Sequence, residues 1–376
     1  MSSAGPRVAI AHDYLTQRGG AERVVLAMLR AFPDATIYTT LYDRALTYPE
    51  FEDALIVPSA LNSLKFFRRH HRLALPFLPL VAESIEIDAD VVLVSSSGWA
   101  HGFSTRARRL VYCYSPARWL YQTDDYLGGP AASSASGLAL LAMRPALRAW
   151  DRRAAQLNDR YLAISRVVQQ RIQDTYGLNA PVVPAPHSMD TSLPQEPLDD
   201  VGDGGGFHLL VSRLLPYKNV DTAIEAFRGM PSRRLVVVGA GPLERELRRT
   251  LPTNVTMVQG ISDAQLRWLY AQCVGIVAPS LEDYGLTPLE AAAFGKPSVT
   301  LRGGGYLDTV LEGVTGVHFD EPVPEAVAAA VAAAAEVPWD CEAIRAHADR
   351  FSEESFARRL RAEVTALWAD GAEASG

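Results

Sequence analysis

With 376 residues, 48% hydrophobic and 21% charged, the chain is long enough for two ordinary domains, each with a sizeable core. A net charge of −7 gives no reason to expect nucleic-acid binding. The positive charge is almost all arginine, so the three lysines, Lys65, Lys218 and Lys296, stand out.

The N-terminus runs straight into a strand pattern, "RVAIAH", without the apolar core of a signal peptide. The loop "DYLTQRGGAER" and the helix "RVVLAMLRAF" follow. Further strands are expected at "ATIYTT", "DVVLVSSS", "RLVYCYS" and "RYLAIS". "LALLAMRPALRAW" is interrupted by Arg144 and Pro145 and is too short an apolar run to span a membrane. A well-marked helix then runs from an N-cap at Ser165 to a closing Gly177. Residues 186–205, rich in Pro, Gly and Asp, read as a linker between domains 1–185 and 206–351.

Beyond it a second series begins: strand "FHLLVSR", helix "VDTAIEAFRGM", strand "RLVVVGA", helix "LERELRRTL", strand "VTMVQG", helix "DAQLRWLYAQC" and strand "VGIVAPS". "PLEAAAFG", "PSVTLRGGG", a short strand near "GVHF" and an Ala-rich helix follow, and residues 352–376 form an amphipathic helix. Strands alternating with helices in this way make parallel α/β structure, here two doubly wound Rossmann-like domains with a ligand cleft where the carboxyl ends of their sheets face each other. The cysteines Cys113, Cys273 and Cys341 show no paired spacing and are expected as reduced, buried thiols. A cytoplasmic protein is expected, either free or held at the inner membrane face.

Three loops of the second domain carry chemistry suited to a nucleotide diphosphate. Arg213 and Lys218 lie five apart after the first strand, where a guanidinium and an ammonium can neutralise two phosphates; a solvated basic loop is the competing reading. Gly241 lies in a tight turn after the second strand, a weak signal that is more often only a turn. The third loop opens the stretch "SLEDYGLTPLEAAAFGKPSV". Thr287-Pro288-Leu289-Glu290 reads there as a capping box, with Thr287 as N-cap and Glu290 reaching back to it. Gly285 lets the backbone approach a ligand, and the helix beside it offers free N–H groups to an anion. Glu290 could accept from a ribose diol, and Glu282, directly after a strand, could bind a sugar hydroxyl.

These segments resemble the donor domain of family-4 retaining glycosyltransferases of the GT-B fold, and Glu282 and Glu290 match that family's E-x7-E motif. In the first half, "HDYLTQRGGAERV" and "SPARWLY" are similar to the O-antigen mannosyltransferase-like branch, and the closing helix resembles the one that crosses back to the first domain in this fold. The resemblance implies that Arg213 and Lys218 bind the diphosphate and stabilise the leaving group, Glu290 holds the ribose and Glu282 contacts the donor sugar. It implies also that the backbone of Tyr284, Gly285, Leu286 and Thr287 covers sugar and phosphate, that Gly260, Ile261 and Ser262 read the base, and that Gly19 and Gly20 let the first domain approach the diphosphate. Many members place a histidine near the donor sugar at the end of a middle first-domain strand. Here the candidates are His101, with a loop histidine as the bland alternative, and then His12.

The implied reaction moves a sugar, with retention, from a nucleotide-diphospho-sugar to a glycan, a lipid-linked sugar or a small molecule. GDP-mannose is the donor favoured by the branch, with a UDP-sugar as the alternative; neither a cofactor nor a metal is called for by any residue cluster. Two rivals stand beside it, a UDP-sugar 2-epimerase on the same scaffold and a non-catalytic nucleotide-binding partner. Residues 64–81, where aromatics interleave with Arg68, Arg69, His70, His71 and Arg72, suit either a peripheral contact with anionic lipid or a helix with a solvated basic face.

Overall fold

The computed structural model describes residues 5–69, 77–123, 135–202 and 206–373. The chain folds as two compact units, one of residues 1–186 with 353–376, the other of residues 187–352. Each is built on a six-stranded sheet whose assigned pairings are all parallel.

In the first unit β1 (Val8–His12), β2 (Thr36–Thr39), β3 (Ile56–Pro58), β5 (Val91–Ser96), β7 (Arg108–Cys113) and β8 (Arg160–Ala163) take the order β3-β2-β1-β5-β7-β8. A separate pair is formed by β4 (Glu86–Ile87) and β6 (Ser104–Thr105). Every residue of β5 is buried, and Ile10 of β1 sits between Ile37 and Leu93. Cover on both faces is why the central strands read as unbroken apolar runs. β3 went unread in the sequence because Ile-Val-Pro is short and Pro58 lacks a donor. As an edge strand it needs none on the outer side.

The helix Arg166–Tyr176 starts and stops as expected: Ser165 Oγ accepts from Val168 N at 3.3 Å, and Gly177 closes it with φ +71°. The closing helix Glu353–Glu373 belongs to the first unit. Phe356 is buried against Tyr112, with ring centroids 5.5 Å apart, and Glu353 and Glu363 pair with Arg30 and Arg160.

The second unit carries β9 (Phe207–Val211), β10 (Arg234–Val238), β11 (Val255–Val258), β12 (Gly275–Ala278), β13 (Ser298–Leu301) and β14 (Gly316–Phe319), in the order β11-β10-β9-β12-β13-β14. Both sheets therefore reverse direction between their first and fourth main strands, β1 and β5 in one, β9 and β12 in the other. The loops after those strands diverge there and leave a crevice at their carboxyl ends.

Three expectations are corrected. Residues 187–202 are no free linker. Val201 is buried with Phe207 and Leu209, Arg267 donates to Pro194 O at 2.9 Å, and Glu196 N donates to Ala264 O at 3.2 Å. A few apolar residues in a Pro- and Asp-rich stretch suffice to fasten it to the second unit. The helix at the E-x7-E stretch is Leu286–Ala293, starting two residues earlier than the capping box implied, and Gly285 precedes it with φ +106°. Cys341 is exposed, whereas Cys113 and Cys273 are buried.

Asp13 holds the reversal point of the first sheet. Its buried carboxylate accepts from the backbone N–H groups of Ser97 (2.6 Å), Trp99 (2.9 Å) and Ala100 (2.8 Å), so the loop after β1 and the loop after β5 share one anion. Replacing Asp13 by Ala orphans three backbone donors, those of Trp99 and Ala100 buried and that of Ser97 half-buried, at about 1–3 kcal/mol for each buried one. The expected outcome in urea unfolding is a loss of about 3 kcal/mol, with Asp13→Asn recovering part through its carbonyl oxygen; a loss below about 1 kcal/mol would show that other acceptors replace it.

Candidate active site

The second sheet's reversal point lies between β9 and β12, and the two strands present opposite charges there. Lys218 ends a short helical turn after β9, Pro216–Lys218, and Glu282 lies four residues beyond β12. The Lys218 ammonium donates to Glu282 Oε1, an ion pair with side chains 11% and 22% exposed. Ser280 donates its hydroxyl to the same carboxylate oxygen. Tyr306 stands behind Ser280 with its hydroxyl 3.4 Å away, and burial, then the Glu282 carboxylate, push its phenol well above the ordinary range. Tyr306 therefore remains a neutral hydroxyl that can donate.

Arg213 is exposed and donates to Tyr217 OH at 3.2 Å, while Lys218 Nζ lies 5.0 Å from the centre of the Tyr217 ring. Tyr217 thus brings the two cations expected at the diphosphate to one side chain. Across the crevice Gly285 takes a left-handed conformation in which a Cβ would meet the Tyr306 ring at 2.6 Å, so only glycine fits. Among the described residues no side chain caps the helix that follows. Its first N–H groups, at Leu286 and Thr287, form a ready anion site. Tyr284 is buried beside it, with its backbone packed against Gly305.

Glu290 does not reach back to Thr287. Its Oε2 accepts from the buried Tyr270 hydroxyl at 2.7 Å, which aims the carboxylate from a different element. The sequence pattern of a capping box was present, but the helix starts at Leu286, so Thr287 and Pro288 fall inside the first turn. Gly241 has a packing cause, since a Cβ there would meet Leu214 O at 2.5 Å. Ser262 caps the helix Asp263–Gln272 in a capping box with Gln265, preceded by Gly260 at φ +66° and the partly buried Ile261.

Gly19, Gly20, His12 and His101 belong to the first unit. Gly19 precedes the helix Gly20–Ala31, and a Cβ on it would lie 2.5 Å from Glu22 Oε2. Glu22, unnoticed in the sequence, is 1% exposed and accepts from Gln17 at 3.0 Å. His12 ends β1, with Nδ1 2.9 Å from Ser95 Oγ and Nε2 3.9 Å from Glu22 Oε1. His101 sits in the buried interior of the first unit. Its ring is 3% exposed, lies near Trp150 and Tyr176, and sets Nε2 3.2 Å from Asp151, which also accepts from Tyr121 at 2.7 Å. Of the two histidines, only His12 stands at the carboxyl end of a strand.

The family models match in two blocks, "Glycosyltransferase Family 4" over residues 18–193 and "Glycosyl transferases group 1" over residues 202–354. Residues 18–193 thus form a glycosyltransferase family 4 domain, and residues 202–354 a glycosyl transferases group 1 domain. It is 29% identical over 215 residues to a GDP-mannose-dependent alpha-(1-6)-phosphatidylinositol monomannoside mannosyltransferase of Mycolicibacterium smegmatis, covering 50% of this chain and 56% of that protein. To the O-antigen chain mannosyltransferase C of Escherichia coli it is 24% identical over 76% of this chain and 73% of that one. The chain spans about half the length, 40% and 56%, of two of the curated relatives it matches. A solved structure of HepE from Anabaena in complex with UDP-glucose superposes with a TM-score of 0.68 at 16% identity, over 96% of this chain and all of that one. The shared architecture is the GT-B fold.

Breaking a mostly buried ion pair leaves a charge without its partner. Glu282→Ala should lower the unfolding free energy by about 2–3 kcal/mol, below the full cost because the carboxylate is 22% exposed. The double substitution Lys218→Met with Glu282→Leu should recover most of it. Thermal unfolding of the three proteins checks this, and a double variant less stable than the single one would contradict it.

Proposed function

We propose that this protein transfers a sugar, with retention of anomeric configuration, from a nucleotide-diphospho-sugar, with GDP-mannose the favoured donor, to a glycan, lipid-linked or small-molecule acceptor. The observation that carries the reading is the Lys218–Glu282 pair at the reversal point of the second sheet, beside an uncapped helix start at Gly285. An arriving diphosphate competes for the Lys218 ammonium and finds Arg213 nearby and the N–H groups of Leu286 and Thr287 pointing outward. Glu282, released from Lys218, turns to a hydroxyl of the donor sugar. Glu290, aimed by Tyr270, receives the ribose diol.

In the transfer step the acceptor oxygen bonds to the anomeric carbon on the face from which the diphosphate leaves. The bond from that carbon to the diphosphate oxygen breaks with its electron pair, and the departing oxygen takes the acceptor's proton. The products are the glycosylated acceptor and a nucleoside diphosphate. The acceleration rests on positioning and on cations aimed at the charge that develops on the leaving group. The leaning to GDP-mannose draws on the mannosyl relatives; a UDP-sugar is the alternative.

A thermal-shift panel with GDP, UDP, ADP and dTDP tests the site and the donor together. A nucleotide at one hundred times its dissociation constant adds about 2.7 kcal/mol. GDP is expected to give the largest rise in melting temperature, and Glu282→Gln to keep that rise while losing transfer from GDP-mannose. A rise with UDP alone overturns the donor, and no rise with any nucleotide overturns the site.

A second reading concerns the acceptor. Residues 70–76 lie outside the described residues, but on either side of them Leu64 (52%), Phe66 (57%), Phe77 (56%) and Leu80 (68%) are exposed, near Lys65 and Arg68. Exposed apolar side chains close in sequence to the exposed Lys65 suit an anionic bilayer face, and through it a lipid-linked acceptor, although Arg68 is paired with Asp43. Sedimentation with phosphatidylglycerol vesicles should carry the protein down, and phosphatidylcholine vesicles should not. Phe66→Ser with Leu80→Ser should abolish the difference, and equal pelleting with both lipids would refute the contact.

A further inference from the structure

Asn219 is the one non-glycine residue with positive φ among the described residues, at φ +51° and ψ +34°. It joins Lys218 to the helix Val220–Arg228. Asparagine before a helix ordinarily turns its side chain onto the first N–H groups as a cap. Here no such cap forms, and the amide instead donates from Nδ2 to Pro279 O at 3.0 Å. That carbonyl belongs to the loop after β12, one residue before Ser280 and three before Glu282. The side chain thus crosses the reversal point of the sheet, next to the place where the Lys218–Glu282 pair crosses it.

We infer that Asn219 is a positioning residue that fixes the Lys218 ammonium against Glu282 and so sets the spacing of the two charges that receive the donor. The inference rests on the reading of Lys218 and Glu282 as the donor-binding pair. The left-handed backbone at Asn219 ends the short turn that carries Lys218 and starts the next helix at once. This leaves Lys218 9% exposed and directed across the crevice. The amide bond to Pro279 then ties the Lys218 turn to the backbone that presents Ser280 and Glu282. Asparagine tolerates the left-handed conformation better than most residues and also supplies the donor. Glycine meets only the first requirement, and aspartate places an acceptor where the carbonyl of Pro279 needs a donor.

The three lysines make the test specific. Trace acylation with acetic anhydride, read by peptide mass spectrometry, reports Lys65, Lys218 and Lys296 separately in one sample. In Asn219→Gly, which keeps the backbone turn, Lys218 should label about fivefold faster, the change expected for losing one hydrogen bond, while Lys65 and Lys296 keep their rates. An unchanged Lys218 rate, or equal rises at all three lysines, overturns the inference.

Nucleotide affinity provides the second readout. Asn219→Gly should weaken GDP binding in the unaltered background and have no further effect in Lys218→Met, because it acts through that lysine. Additive losses would show a general structural role and overturn the inference. Should the unaltered protein bind none of the four nucleotides, the donor-site reading fails, while the labelling still decides what Asn219 does.

Discussion

An ammonium and a carboxylate on two different loops are held together at the point where a parallel sheet reverses. Lys218 and Glu282 come from segments that share no local reason to meet, and they are brought together because β9 and β12 are neighbours in space while their loops diverge. The sheet order thus makes the crevice and the charges line it. A pair mostly removed from water yet not sealed is costly to maintain and easily exchanged for a ligand's charges. That combination suits a binding site better than it suits a scaffold.

The surrounding glycines explain how several loops fit around so small a crevice. A Cβ at Gly239 would fall 1.9 Å from Ser212 O, at Gly304 2.1 Å from Glu282 O, and at Gly305 2.2 Å from Tyr284 Cα. The backbone following β10 therefore lies against the loop after β9, and the backbone following β13 against the loop after β12. Gly305 N also donates to Glu282 O at 2.8 Å, which leaves the Glu282 backbone fixed while its side chain faces the crevice. The glycine-rich stretch at 303–305 thus supports the backbone of Glu282 and Tyr284.

Much of this was legible because the strands are buried on both faces and the helices carry clear stops. Ser165 and Gly177 marked a helix to the residue, and lysine scarcity drew attention to Lys218, which is mostly buried and paired with Glu282. What the sequence does not show depends on tertiary packing. Thr287 and Glu290 have the spacing of a capping box, yet the ring of Tyr306, about twenty positions away, packs over Gly285, and the helix starts before Thr287. His101 sits five residues past a strand end in sequence, but its ring turns toward Asp151 on a helix some fifty residues later. Neither the partner of Glu290, Tyr270, nor the conformation of Asn219 leaves a pattern in the chain.

The two units solve the same problem with opposite chemistry. In each, the loop after the first strand must be tied to the loop after the fourth where the sheet reverses. In the first unit the tie is Asp13, whose carboxylate is 1% exposed and satisfied by backbone N–H groups that cannot be exchanged without unfolding the loop. In the second unit the tie has two strands. One is the amide of Asn219 on a backbone carbonyl; the other is Lys218 on Glu282, between side chains that can rotate to new partners. A carboxylate surrounded by amides stabilises its loop and has little left to offer a ligand. Where the second tie is an ion pair, the amide clamp beside it still holds the loops together if the pair is opened. The difference between the units therefore lies in which groups tie the two loops: backbone amides on a carboxylate in the first, a side-chain ion pair and an amide in the second.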